Sequence, residues 1–233
     1  MQLESTPSPL AQVLQHPQVW RANRRVSAPA QTIATGFTAL DRELGGGWPR
    51  GALTEMLFPA PGSGELRLLM PALAQLSREQ NWLAWIAPPY IPYAPALAAH
   101  GIDLARVMVV QPRDDAQALW AVEQALRSGT CAAVLAWVKR SDDRSLRRLQ
   151  LAAEAGNSWG IVFRAQHSVV QTSPVPLRLK LEPTPTGAVV QILKRRGGWP
   201  GGRVALEFTQ RHDSDLAASK ETSSKDAFAR RAR

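Results

Sequence analysis

From Thr35 onward, short apolar runs alternate with amphipathic stretches. The runs near 52–57, 82–87, 106–110, 131–137 and 159–163 are bounded by turn residues or charges, and their length and density predict buried strands. Between them, apolar positions recur at spacings of three and four, which predicts helices over 65–80, 93–100, 114–127 and 142–156. Strands that alternate with helices in this way predict an α/β fold, a mostly parallel sheet flanked by helices. After residue 173 the rhythm changes. "VPLRLKLEP", "TGAVVQILKRR" and "GRVALEF" read as strands joined by turns, with no room for crossover helices, so a C-terminal antiparallel extension is expected.

The two ends differ from this middle. Residues 1–31 read as an N-terminal arm, with one short helix near "PLAQVLQH" and the basic patch "RANRR". Residues 209–233 are polar and charged with both signs. They carry too little apolar surface to offset the entropy of ordering, which predicts a disordered tail and leaves 32–208 as the folded domain. No apolar run approaches the roughly 20 residues needed to cross a bilayer, and the start of the chain lacks a basic region followed by an apolar one; a cytoplasmic location is expected.

Composition narrows the chemistry. The one cysteine, Cys131, and the four histidines show neither a disulfide framework nor metal-ligand spacing. The formal charge of +9 suits DNA or an acidic protein surface without choosing between them. The stretch "FPAPGSGELRLL" (58–69) has the outline of a phosphate-binding loop. Yet Pro59, Gly64, Glu65 and Leu66 stand where the G-x-x-x-x-G-K-[ST] pattern has its first glycine, last glycine, lysine and hydroxyl. Gly62 and Gly64 can still turn a strand into a helix, and Glu65 suits a helix N-terminus, so the loop reads as a backbone device.

"TGFTALDRELGGGWPRGALTEML", the glycine loop and "IDLARVMVVQP" together resemble RecA and its relatives over residues 32–164. Within that superfamily, "GGGWPRGALTE", "GSGELRLLMPALA", "APPYIPYAPALAAHGIDLARV" and "RSLRRLQLAAEAGNSWGIVFR" resemble the ImuA family, SulA/RecA-like accessory proteins of bacterial mutagenic translesion synthesis. The resemblance implies a RecA-like sheet with a degenerate nucleotide site. Glu65 takes the place of the phosphate lysine, Leu66 that of the magnesium hydroxyl, Pro89 that of the water-activating glutamate, and Trp137 that of the magnesium-supporting acid. Neither ATP hydrolysis nor any cofactor is expected, and Glu65→Lys is expected to be tolerated without restoring hydrolysis.

By that resemblance the chain is a non-catalytic scaffold of SOS-induced mutagenesis. Its implied partners are ImuB, an error-prone replicative-type polymerase subunit and RecA. Two alternatives stand beside it: a SulA-like division inhibitor that binds the tubulin-like protein FtsZ, and a direct single-strand DNA binder. Two basic clusters are candidate contact surfaces. Lys139, Arg140, Arg144, Arg147 and Arg148 surround a helix that Leu146, Leu149 and Ala153 would anchor, and Lys194, Arg195, Arg196 and Trp199 lie in the loop "KRRGGWPGGR".

Overall fold

In a computed structural model the chain is described over residues 31–138, 141–197 and 201–208. The N-terminal arm and the C-terminal tail expected from sequence lie outside these residues. A small antiparallel pair, β1 (Thr32–Ile33) and β2 (Trp48–Pro49), brackets helix α1 (Thr38–Leu44). Then come β3 (Leu53–Phe58), α2 (Glu65–Ser77), β4 (Trp82–Ile86), α3 (Ala94–Ala99), β5 (Val107–Val110) and α4 (Asp115–Arg127). These are followed by β6 (Cys131–Trp137), α5 (Asp143–Gly156), β7 (Trp159–Ala165), β8 (Leu177–Thr184), β9 (Gly187–Arg195) and β10 (Arg203–Glu207).

The main sheet has the order β10-β9-β8-β3-β7-β6-β4-β5. Its strands from β8 to β5 run parallel, and β9 and β10 are antiparallel at one edge. The period-2 geometry of a strand sends alternate side chains to opposite faces, and both faces are buried here. Leu83 and Trp85 of β4, Leu135 of β6, and Ile161 and Phe163 of β7 join α2 in one core. Ala84, Ile86, Val134, Ala136 and Val162 join Val122 and Leu126 of α4 and Leu146 and Leu149 of α5 in the other. Central strands covered on both faces explain why the sequence shows continuous apolar runs instead of alternation.

Local sequence sets the helix ends. Asp114 and Asp142 cap α4 and α5 by accepting from the N–H groups of Gln117 and Ser145, each at 2.8 Å. The Ser145 bond holds the Asp142 carboxyl below the usual carboxylate range, so this cap persists above that range and is lost as pH falls through the lowered value. Helix α5 stops at Asn157, which is left-handed at φ 50°.

The antiparallel extension expected from sequence is present as β8-β9-β10, and its first strand also joins the parallel sheet. β8 lies parallel to β3, with Glu55 opposite Arg178, β9 runs against β8, and β10 turns back beside β9. The short 3₁₀ turn Gln166–Val170 provides the crossover, and the pairing of charges described below favours this register. Cys131, at 4% exposure, has its thiol pKa pushed up by burial. It should therefore resist a thiol reagent at pH 7.5 in the native protein and react on unfolding in urea; equal rates in both states would contradict this placement. Among the described residues no helix is long and apolar enough to cross a membrane.

Candidate functional site

Chain entering the carboxyl ends of parallel strands forms the crevice where open α/β sheets bind ligands. Here the first such loop, 59–64, is a tight turn. Gly62 and Gly64 hold φ 87° and 91°, and Gly64 sits at the N-terminus of α2, where a Cβ would fall 2.8 Å from Cε2 of Phe208. The turn consumes its own donors. Glu65 Oε1 accepts the Gly62 N–H at 3.0 Å, Ser63 Oγ accepts the Ala60 N–H at 3.3 Å, and Ala60 O accepts the Ser63 N–H at 3.2 Å. The main-chain N–H groups of Ala60, Gly62 and Ser63 are thus engaged within the turn itself. Glu65 is only 3% exposed, so lysine there would break the loop-closing bond and bury an ammonium. The expectation that Glu65→Lys is tolerated is revised accordingly.

Beside this turn lies a cleft of about 280 Å³, lined by Gly62, Gly64, Glu65, Leu66 and Arg67 on one side and by the segment Pro88–Tyr93 on the other. Trp85 and Trp137 line it as well. Trp137 stacks on Phe163 at 4.4 Å between ring centroids and on Trp85 at 5.7 Å. Rings therefore fill the position at the end of β6. Pro89 belongs to the rim, where Tyr90, Ile91 and Tyr93 are exposed.

The last loop at this edge is tied down by buried charge. Glu55 of β3 is fully buried; its Oε1 accepts from Arg164 Nη1 at 2.8 Å, and its Oε2 lies 3.0 Å from Arg178 Nε. The second contact lacks hydrogen-bond alignment, so it acts by Coulomb attraction in a dry setting. Both arginines then reach the crossover turn. Arg178 donates to the carbonyls of Gln171 at 2.6 Å and Ser168 at 2.5 Å, and Arg164 Nη2 donates to Gln171 Oε1 at 2.6 Å.

The basic candidates are distributed differently from their sequence clustering. On α5, Leu146, Leu149 and Ala153 are buried while Arg144 and Arg147 are exposed. Arg148 reaches across to α4, where its Nε lies 2.8 Å from Glu123 Oε2. Lys194 Nζ donates to Ser173 O at 2.7 Å, Arg195 Nη1 donates to Glu43 O, and Arg196 is exposed in a turn. Lys139, Arg140 and Trp199 lie outside the described residues. Two features passed over in the sequence carried signals. An acidic residue in the run "LTEMLF" requires a buried partner, and three large side chains between prolines in "PPYIPY" sit where a loop should be polar. Among the described residues no group of three or more His, Cys, Asp or Glu is placed to hold a metal ion.

Fold and site define a mixed α/β protein with a mostly apolar cleft at the carboxyl edge of its sheet. The family model of SulA, the cell division inhibitor, matches residues 51–160, from the start of β3 into β7. The cell division inhibitor SulA of Yersinia pestis (strain Pestoides F) is 30% identical over 114 residues, 49% of this chain and 68% of that protein. That of Edwardsiella piscicida is 34% identical over 109 residues, 47% of this chain and 65% of its own length. The chain thus spans just under two thirds of the latter relative. A crystal structure of SulA from Pseudomonas aeruginosa is 30% identical, with 48% of this chain and 97% of that one covered and a TM-score of 0.42.

The chain belongs to the SulA family. This overturns the ImuA assignment and, with it, the role in translesion synthesis and SOS mutagenesis. ImuB, the polymerase subunit and RecA fall as partners, because only that resemblance implied them. The single-strand DNA reading is withdrawn too, since the family match favours the division-inhibitor alternative, and Lys194 and Arg195 of the second basic cluster are engaged by backbone carbonyls.

Proposed function

We propose that this chain is a cytoplasmic inhibitor of cell division that acts in the response to DNA damage by binding FtsZ, with no catalysis of its own. The observation that carries the reading is the SulA-family match over 51–160, which takes in the glycine turn, the rim and α5. The absence of catalysis agrees with the turn, where Glu65 and Ser63 engage the N–H groups of Gly62 and Ala60 and a carboxylate stands in place of a phosphate-binding lysine. On fold we infer a RecA-like sheet within the domain 32–208; its support is a first core strand that passes through a glycine turn directly into a helix at the sheet's carboxyl edge. Arg144 and Arg147 of α5, which make no ion pair among the described residues, are proposed contacts for an acidic stretch of the partner. Arg196, exposed in the turn after β9, is proposed as a further contact.

Induced expression in a rod-shaped bacterium tests this. Cells should elongate without septa, and the Arg144→Ala/Arg147→Ala protein, folded to the same extent, should need several-fold higher expression for the same effect. Normal division at high levels of folded protein would sink the proposal.

A further inference from the structure

The cleft between the glycine turn and the Pro88–Tyr93 rim contains an imbalance that the fold itself does not resolve. Three of its lining residues carry a buried polar atom without a hydrogen-bond partner: Trp85 Nε1, Trp137 Nε1 and Glu65 Oε2. Trp85 is 1% exposed and Glu65 3%. A buried donor or acceptor left unmade costs about 1–3 kcal/mol, and such groups in native proteins normally find partners. Two indole donors and one carboxylate acceptor on residues that line one small cleft are the complement of a short stretch of main chain, which offers carbonyls and an N–H together.

The surroundings specify the rest of the occupant. At about 280 Å³ the cleft has room for one bulky side chain with its flanking main chain. Its walls are Leu66, prolines and aromatic rings, which calls for an apolar side chain. Beyond the cleft, Tyr90, Ile91 and Tyr93 are 75%, 84% and 72% exposed. Large apolar side chains standing together in solvent around a pocket have the anatomy of a protein interface, with anchor residues around a central seat. The rim segment contains Pro88, Pro89 and Pro92, which have no N–H to bond, and a long bond from Gln111 Nε2 to Pro88 O at 3.5 Å ties it, so an occupant that displaces the segment reaches the indoles at the cost of that bond.

We propose that this cleft seats an extended segment of a protein partner bearing a bulky apolar side chain. The segment's carbonyls accept from the Trp85 and Trp137 indoles, and one of its main-chain N–H groups donates to Glu65 Oε2. The inference rests on the reading that the chain works by binding a protein, and it names the surface and the chemistry of what is bound. In this arrangement the pocket beside the glycine turn serves as the seat of a peptide, and the exposed rim borders it.

Two probes test it: purified FtsZ, and N-acetyl-leucine amide at millimolar concentration as a minimal apolar peptide. The readout is the indole ¹H–¹⁵N resonances of Trp85 and Trp137, assigned through single Trp→Phe changes, together with the FtsZ affinity of wild type and of Ile91→Asp/Tyr93→Ala. Those two side chains are exposed, so the variant should keep its fold, as circular dichroism would verify. Both probes should shift the two indoles saturably, and the variant should lose at least about tenfold in FtsZ affinity. If the amide shifts the indoles while FtsZ does not bind wild type, the cleft stands and FtsZ falls as its partner. If FtsZ binds wild type and the variant alike and neither probe moves the indoles, the cleft proposal is overturned and FtsZ binding survives elsewhere. Silence from both probes overturns the proposal as well.

Discussion

Replacing Glu55 by alanine is expected to unfold most of the protein at 37 °C. The substitution leaves Arg164 and Arg178, with side-chain exposures of 9% and 8%, buried without their shared carboxylate. Breaking a buried ion pair by removing one partner costs about 3–5 kcal/mol, a large part of the roughly 5–15 kcal/mol that holds a domain folded. The loss should extend to the crossover turn, since the same arginines hold Ser168 and Gln171. Removing the whole cluster is a separate matter. Glu55→Leu with Arg164→Met and Arg178→Met should recover much of the lost stability, because apolar replacements of similar volume need no desolvated charge. Urea midpoints of the single and triple variants decide between them. A single variant as stable as wild type would mean that the triad contributes nothing.

Gly64→Val should be the second severe change, with a loss of about 2–4 kcal/mol, from the left-handed φ of 91° and from the contact with Phe208. A β-branched residue is poorly suited to that φ, and the new side chain would push against a ring that Arg67 also covers at 5.5 Å. Gly62 is the control. Its φ is 87°, but a Cβ there meets nothing within 4 Å, so Gly62→Ala should cost only about 1–2 kcal/mol of backbone strain. Thermal unfolding of the two variants separates conformational from steric cost. Equal melting temperatures would show that the Phe208 contact is not part of the constraint.

The alternation of strands and helices was legible because each central strand buries both faces, which leaves dense apolar runs with capped helices between them. What failed to show was pairing across long separations. β8 read as the first member of an antiparallel group, which it is, but its own sequence cannot say that it also pairs parallel with β3 and sets Arg178 opposite a carboxylate there. The same blindness affected the basic residues. Arg148 and Lys194 read as free surface charge until Glu123 and the Ser173 carbonyl were seen beside them. The glycine turn was read correctly as a bend, yet the burial of Glu65 was missed because a helix N-terminus gave that carboxylate a sufficient reason to be there. The family error has a related cause. Most of the phrases taken for ImuA lie inside the stretch that the SulA model matches. There the turns, caps and core positions are dictated by the sheet, and they mark a place in a fold more strongly than a partner.

The candidate surface was half legible. Its cleft requires the carboxyl ends of β3, β6 and β4 to be gathered along one edge of the sheet, with β7 between β3 and β6, which no local pattern reveals. Its rim, by contrast, was written out in "PPYIPY". Large apolar side chains interleaved with prolines cannot form a helix or a central strand, and so they had to stand at the surface.

The most direct measurement of the central claim is the affinity of the purified full-length protein for purified FtsZ, read by titration calorimetry together with the amount of FtsZ polymer pelleted in the presence of GTP. Saturable binding with a matching loss of pelleted polymer is the expected result. Heat no greater than dilution and unchanged polymer, with protein shown to be folded, would contradict it.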